Sequence, residues 1–242
     1  IVRASEFAPQ LAERPDPRHV QSAEAFRLIF AGLFKKVVIS TYLASEIVDE
    51  VFNLPEAYSG LEILVAVYAY AIQIYADFSG YTDIAIGLSR LMGFKLKPNF
   101  NSPYKATSVA DFWRRWHKSL GSWLRDYLYI PLGGNRGGTV GSYIAIVVIF
   151  TFLIFITQWY ELLYVYGGLT VVYLIGVATI KDFKRFVHRD LNLLITMVVG
   201  GLWHGASENF VIWGAMNGAA LIIYKYWKQI SFYENRSGVI VH

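Results

Sequence analysis

Two histidines and a group of basic residues are the side chains of this sequence best suited to chemistry. His204 lies in the string MVVGGLWHGASENFVIWG, between two apolar runs. An ionisable side chain in that position is costly in lipid, which makes it a functional-site candidate by default. Near neutral pH an uncharged imidazole can take a proton from a hydroxyl. Gly200, Gly201 and Gly205 around it would let another backbone or a substrate chain approach closely. The plainer alternative is a histidine hydrogen-bonded to a neighbouring helix for packing. His117, within DFWRRWHKSLGSWLRD, is the second candidate. Its charged neighbours suit a place near lipid headgroups, so on its residues alone it reads as a solvated interfacial histidine. Arg114 and Arg115, with Lys118 and Arg125, could hold the phosphates of a coenzyme or an anionic carrier. They could equally touch anionic headgroups, and the sequence does not separate the two.

Asp77 and Asp83, in YADFSGYTDIAIG, are carboxylates in or near an apolar stretch. They could line a proton path, pair with Arg90 or cap a broken helix, and structural pairing is the preferred reading. The loop PLGGNRGG has glycines at turn spacing but lacks the Lys and Ser or Thr of a phosphate-binding loop, so it reads as a turn. The five histidines, at 19, 117, 188, 204 and 242, show no metal-ligand spacing, and no metal is expected. A nucleophilic serine in a GxSxG setting is also missing.

The elements that must position these residues are membrane elements. Hydrophobic residues make up 55% of the chain and charged residues only 17%, against roughly a quarter in ordinary soluble domains. The net charge of +4 comes from short basic clusters between apolar stretches, a pattern of cytoplasmic loops rather than of a nucleic-acid-binding face. The absence of Cys excludes disulfides and thiolate chemistry and identifies no compartment. The chain opens on Ile1 without a basic segment and cleavage site, so no signal peptide is expected, and the chain reads as a piece of something longer.

Runs of about 20 apolar residues can cross the bilayer. Residues 24–53 read as a membrane helix interrupted by Lys35 and Lys36. Residues 61–93 read as a long helix with a break near Ser79 and Gly80. The stretch 94–105 is a basic loop. Residues 107–134 mix Trp and Tyr with cations, which suits an interfacial or re-entrant helix. Residues 140–157 and 162–180 read as two spans, joined by the uncharged-to-acidic link QWYE. By the positive-inside rule that link and the acidic region 46–62 lie outside, and Lys35, Lys36, the 90–105 loop and the basic residues 181–189 lie inside. Residues 191–204 form a run too short to span, followed by a second run at 210–224, and their crossing is left open. The expected fold is an all-α integral membrane protein, one domain over 1–242, with a multi-helix core and re-entrant or interfacial helices.

The strings FSGYTDIAIGLSRLMGFKL, NFNSPYKATSVADFWRRWHKSLGSWLRDYLYIPLGGNR and LLITMVVGGLWHGASENFVIWGAMNG resemble the membrane-bound O-acyltransferase family. They are similar to its branch that acetylates alginate and peptidoglycan, and more distantly to its teichoic-acid D-alanylating members. The resemblance covers most of residues 1–138 and 190–230. It implies a many-helix membrane fold with a tunnel, in a multi-pass protein of the bacterial cytoplasmic membrane. It also implies acyl transfer to a hydroxyl, with acetyl-CoA as donor and an extracytoplasmic polysaccharide as acceptor. The acyl group would pass directly or through an extracytoplasmic partner acetyltransferase of SGNH type, amid membrane lipids. His204 matches the family's deeply placed essential histidine and His117 its second histidine. Arg114, Arg115 and Lys118 become candidates for holding the donor. Two departures stand out: residues 139–188 form an extra hydrophobic hairpin, and Glu208 stands where relatives often carry Trp, near enough in sequence to raise the basicity of His204. The family's N- and C-terminal helices are expected to lie outside this chain. A transporter in which Asp77, Asp83 and His204 relay protons is the rival reading, and a non-catalytic scaffold the third.

Overall fold

The structure is a computed structural model that describes residues 2–12, 20–205 and 207–231, without the side chains of residues 153, 156 and 157. His19 and His242 lie outside these residues. The chain divides into two compact units, Ile1–Lys105 with Arg114–Ser119, and Ala106–Trp113 with Leu120–His242. The described residues form helices and connecting turns, with no strand among them.

The first unit holds a short helix α1 (Ala4–Ala12) and two 32-residue helical rods, α2 (Ser22–Asn53) and α3 (Gly60–Leu91). Each rod is about three turns longer than the roughly 20 residues that a span requires. In α2, α-helical turns alternate with wider π-helical turns at Phe34–Ser40 and Ala44–Val48. Thr41 Oγ1 donates to the Lys36 carbonyl at 3.2 Å within this widened stretch. Helix α3 begins with a reciprocal cap. Ser59 Oγ accepts from the Glu62 backbone N–H, and the Glu62 carboxylate accepts from the Ser59 N–H, which satisfies two otherwise open groups.

The break expected near Ser79 and Gly80 is absent, and α3 runs through it. The reason is that Gly80 serves interhelical contact rather than bending. A Cβ at Gly80 would lie 2.7 Å from the Gly32 carbonyl oxygen of α2, and one at Gly32 would lie 2.5 Å from the Gly80 oxygen. Gly87 meets the Ala25 oxygen in the same way, so the two backbones touch along a seam of small residues, as membrane helices often do. Charges flank this seam. Lys35 pairs with Asp83 and Lys36 with Asp77, each at 2.6 Å, while Arg90 pairs with Glu24 at 3.2 Å. Pairing was the preferred reading for both aspartates, but the partners are the lysines of α2 and not Arg90.

Next along the chain comes a bent segment, α4 (Val109–Arg115) followed by α5 (Lys118–Leu124) and a π-helical turn at Arg125–Tyr129. Ser108 Oγ accepts from the Asp111 N–H at 3.1 Å and starts α4. The second unit continues with α6 (Val140–Thr157) and α7 (Leu162–Thr179), then α8 (Phe183–His204) and α9 (Glu208–Ile230). The apolar run expected at 191–204 is therefore the end of a 22-residue helix, about 33 Å long at 1.5 Å per residue. Its first turns are charged, which hid them from a reading by apolar runs.

Close backbone approach also joins α8 to α9. A Cβ at Gly201 would lie 2.2 Å from the Phe210 oxygen, and one at Gly214 would lie 2.5 Å from the Met197 oxygen. At the other end Asp190 accepts hydrogen bonds from Lys225 and from the Tyr226 hydroxyl. The loop PLGGNRGG is tied to α8, because Asn192 Nδ2 donates to the Gly134 and Gly137 carbonyls at 3.3 and 3.1 Å. His188, 1% exposed, fastens the hydrophobic hairpin to the same helix. Its Nε2 lies 2.9 Å from the Tyr173 hydroxyl and its Nδ1 3.3 Å from Ser142 Oγ.

Among the described residues, Ser22–Asn53, Gly60–Leu91 and Leu162–Thr179 are long and apolar enough to cross a membrane, and Val140–Phe152 is apolar over a shorter stretch. Only 6% of the apolar window in α7 is buried, so its side chains face outward, which suits lipid and not water.

Candidate active site

His117 occupies the bend between α4 and α5 and is 4% exposed. Its φ of 42° is left-handed backbone, which a non-glycine residue adopts at a cost of roughly 1–2 kcal/mol. The surrounding contacts hold it there. Asn101 N–H donates to the Arg115 carbonyl at 3.0 Å and Lys118 N–H to the Asn99 carbonyl at 2.9 Å, so residues 99–101 clamp the bend from both sides. The Phe78 ring meets the imidazole edge-on, with centroids 4.7 Å apart. Phe100 and Trp116 pack edge-to-face beside it at 5.1 Å, and Tyr75 lies 5.7 Å from Phe100. Tyr104 donates its hydroxyl to the Ala71 carbonyl at 2.6 Å, and partial burial pushes its phenol up, so it remains a donor. The solvated interfacial position suggested by the charged neighbours is thus corrected: the ring is buried in an aromatic pocket of the first unit.

The basic residues stand on either side of that ring in sequence. Arg115 Nη1 donates to the Asn101 carbonyl at 3.3 Å, so it takes part in the clamp. Arg114 and Lys118 are exposed at the bend. Arg125 pairs with its neighbour Asp126 at 2.8 Å.

His204 is the last residue of α8, in the second unit, and is exposed in this chain. Aromatic rings surround its base: Trp203 at 5.0 Å and Trp213 at 5.4 Å edge-on, and Phe210 nearly parallel at 6.2 Å. Trp113 of α4 meets Trp213 at 5.6 Å. No hydrogen bond to the His204 ring is formed among the described residues, so the packing alternative, which required one to a neighbouring helix, gains no support from them. The nearby glycines serve the protein's own chain. Gly201 admits the α9 backbone, and Gly205 admits the Phe210 ring, which would lie 2.5 Å from a Cβ there. Glu208 stands in the first turn of α9, where a negative charge complements the helix dipole, and forms no ion pair with His204.

Three features were missed in the sequence in whole or, for the paired aspartates, in the identity of their partners. Asn99 carried no signal beyond its place in the NFN string. The pairing of Lys35 and Lys36 with Asp83 and Asp77 was foreshadowed by opposite charges inside two apolar runs. His188 and Asn192 were hidden in the charged start of α8. Among the described residues no group of three His, Asp or Glu side chains is placed to hold a metal ion. Asp77 and Asp83, offered as relay members by the transporter reading, are each committed to a lysine.

The family model for MBOAT, the membrane-bound O-acyltransferase family, matches residues 1–186. The chain belongs to this family. It is 38% identical over 225 residues to the probable alginate O-acetylase AlgI of Pseudomonas syringae pv. tomato, covering 93% of this chain and 34% of that protein. It is 35% identical over 227 residues to the peptidoglycan O-acetyltransferase of Helicobacter pylori, covering 93% of this chain and 34% of the relative. The teichoic acid D-alanyltransferase of Bacillus subtilis is 25% identical over 203 residues, with 83% and 40% covered. The chain therefore spans about a third of the length of the O-acetylating relatives it matches. It is a membrane protein of an acyl-transferring family.

Proposed function

We propose that this chain is part of a membrane O-acetyltransferase of the bacterial cytoplasmic membrane. It moves an acetyl group from cytoplasmic acetyl-CoA toward hydroxyls of an extracytoplasmic polysaccharide, directly or through an extracytoplasmic partner acetyltransferase. The observation that carries the reading is the match along 93% of the chain to a probable alginate O-acetylase. Two imidazoles in aromatic surroundings, one buried and one at a helix end, supply groups suited to the reaction.

In this reading His204 takes the proton of the attacking hydroxyl. The hydroxyl oxygen bonds to the thioester carbonyl carbon, the carbon–sulfur bond breaks, and the departing thiolate receives the proton. Trp203, Phe210 and Trp213 pack against the ring and hold it at the end of α8. His117 is the second imidazole of the reaction. Arg114 and Lys118 are exposed cations able to meet the donor's phosphates, and Arg115 shapes the bend that presents them.

Acetyl transfer from labelled acetyl-CoA, in membranes holding the full-length protein and its partner proteins, tests this reading. Wild type is expected to label a polysaccharide or a partner, and His204→Ala at matched protein level to lose at least a hundredfold in rate. Equal labelling by the two would remove His204 from the mechanism.

A further inference from the structure

We propose that Asn99 fixes the tautomer of His117, so that Nδ1 carries the ring proton and Nε2 presents the lone pair. His117 then acts as a proton or hydrogen-bond acceptor through Nε2. This assignment of a role to His117 rests on the acyl-transfer reading, whereas the tautomer itself rests on geometry alone.

The geometry begins at a backbone N–H. Ser119 N–H, which can only donate, lies 3.0 Å from the Asn99 Oδ1 position. The atom there must accept, so the side-chain amide is oriented with its oxygen toward the bend. The same oxygen lies 3.3 Å from His117 Nδ1. Two acceptors cannot bond to each other, so Nδ1 bears the proton. A neutral imidazole has one N–H, which leaves the lone pair on Nε2. Ser119 Oγ, 3.4 Å from Nδ1, agrees with this because a hydroxyl oxygen also accepts. The arrangement is rigid: Asn99 is 8% exposed, its carbonyl holds Lys118 N–H, and Phe78 meets the imidazole at 81°.

Asn99 is thus a positioning residue, acting through His117. The alternative is that it merely caps the start of α5, and Asn99→Asp separates the two. An aspartate retains the acceptor and therefore the cap and the tautomer, but its charge stabilises the imidazolium form. The other groups around the ring leave that effect legible. Phe78 of α3 and Ser119 are uncharged, Asp77 is paired with Lys36, and Arg115 is engaged by Asn101, with the exposed Lys118 next in sequence.

The test uses full-length protein with nitrogen-labelled histidine rings in lipid nanodiscs, read by solid-state nitrogen NMR near neutral pH. The His117 signals are assigned by their loss in His117→Gln. Expected are a protonated Nδ1 and an unprotonated Nε2 in wild type, and in Asn99→Asp at a pH above its raised acid limb, with that preference lost in Asn99→Ala. A protonated Nε2 in wild type, or an unchanged spectrum in Asn99→Ala, overturns the proposal. In the acetyl-transfer assay Asn99→Ala is expected to fall at least tenfold. Asn99→Asp is expected to stay active, with the acid limb of its pH profile moved up by about one unit, because a raised imidazole pKa removes the Nε2 lone pair at higher pH. An acid limb that stays in place in an active Asn99→Asp protein would show a cap only and overturn the role. A wild type with the expected tautomer and no acetyl transfer would refute the acyl-transfer reading while upholding the assignment of Nδ1 and Nε2.

Discussion

At the scale of single residues, the two histidines present opposite situations. Among the described residues His204 is exposed and held by ring contacts, whereas His117 is buried, strained and held by its neighbours on three sides. Strain kept at a buried polar residue is commonly a mark of function. His117→Asn tests this, since Asn tolerates left-handed backbone better than most residues. The variant is expected to unfold within a few degrees of wild type in detergent, yet to lose acetyl transfer by about a hundredfold. A fully active His117→Asn protein would reduce His117 to a structural part of the bend. The importance of His204 was legible in the sequence from its isolation between apolar runs. The burial of His117 was not, because charged neighbours at 114, 115 and 118 say nothing of a ring that turns away from them. Asn99 was illegible for a further reason: its partners are the His117 ring and two backbone N–H groups 18 to 20 residues away, and no residue pattern encodes such contacts.

At the scale of elements, apolar length served well wherever it was uninterrupted. The hairpin α6 and α7 lies where its runs predict, within a residue. Sequence reading failed at the charged start of α8 and where glycine had two meanings. Gly80 could bend a helix or admit another one, and only the presence of Gly32 opposite it decides in favour of contact. The flanking ion pairs offer an energetic test. Removing one partner leaves a charge in an apolar setting, so Lys35→Met or Asp83→Leu alone should destabilise the α2 and α3 pair. The loss should be smaller than the ~3–5 kcal/mol of a fully buried pair, since the side chains of Lys35 and Asp83 are 31% and 24% exposed. The double variant is expected to recover much of that loss, as read by thermal unfolding in one detergent. Strictly additive losses would mean that the two charges do not interact.

At the scale of the whole molecule, an all-α membrane architecture was evident from 55% hydrophobic residues and few charges. The division into two compact units was not, because residues 106–119 alternate between them without any change of composition. The orientation expected from the basic loops can be measured directly, since the chain contains no Cys. In otherwise cysteine-free protein, Glu161→Cys is expected to react with an impermeant maleimide from the extracytoplasmic side, and Lys97→Cys only after permeabilisation. The reverse pattern would invert the topology. Several side-chain contacts within each unit join residues fewer than fifty positions apart. Lys35 finds Asp83 48 residues later, Asn99 finds His117 18 residues later, and Asp190 finds Lys225 35 residues later. Closing loops of that size costs little extra entropy, and such local contacts form quickly. Every residue named around His117 precedes His204 in the chain, so a protein emerging from the ribosome carries the complete surroundings of one histidine before it carries the other.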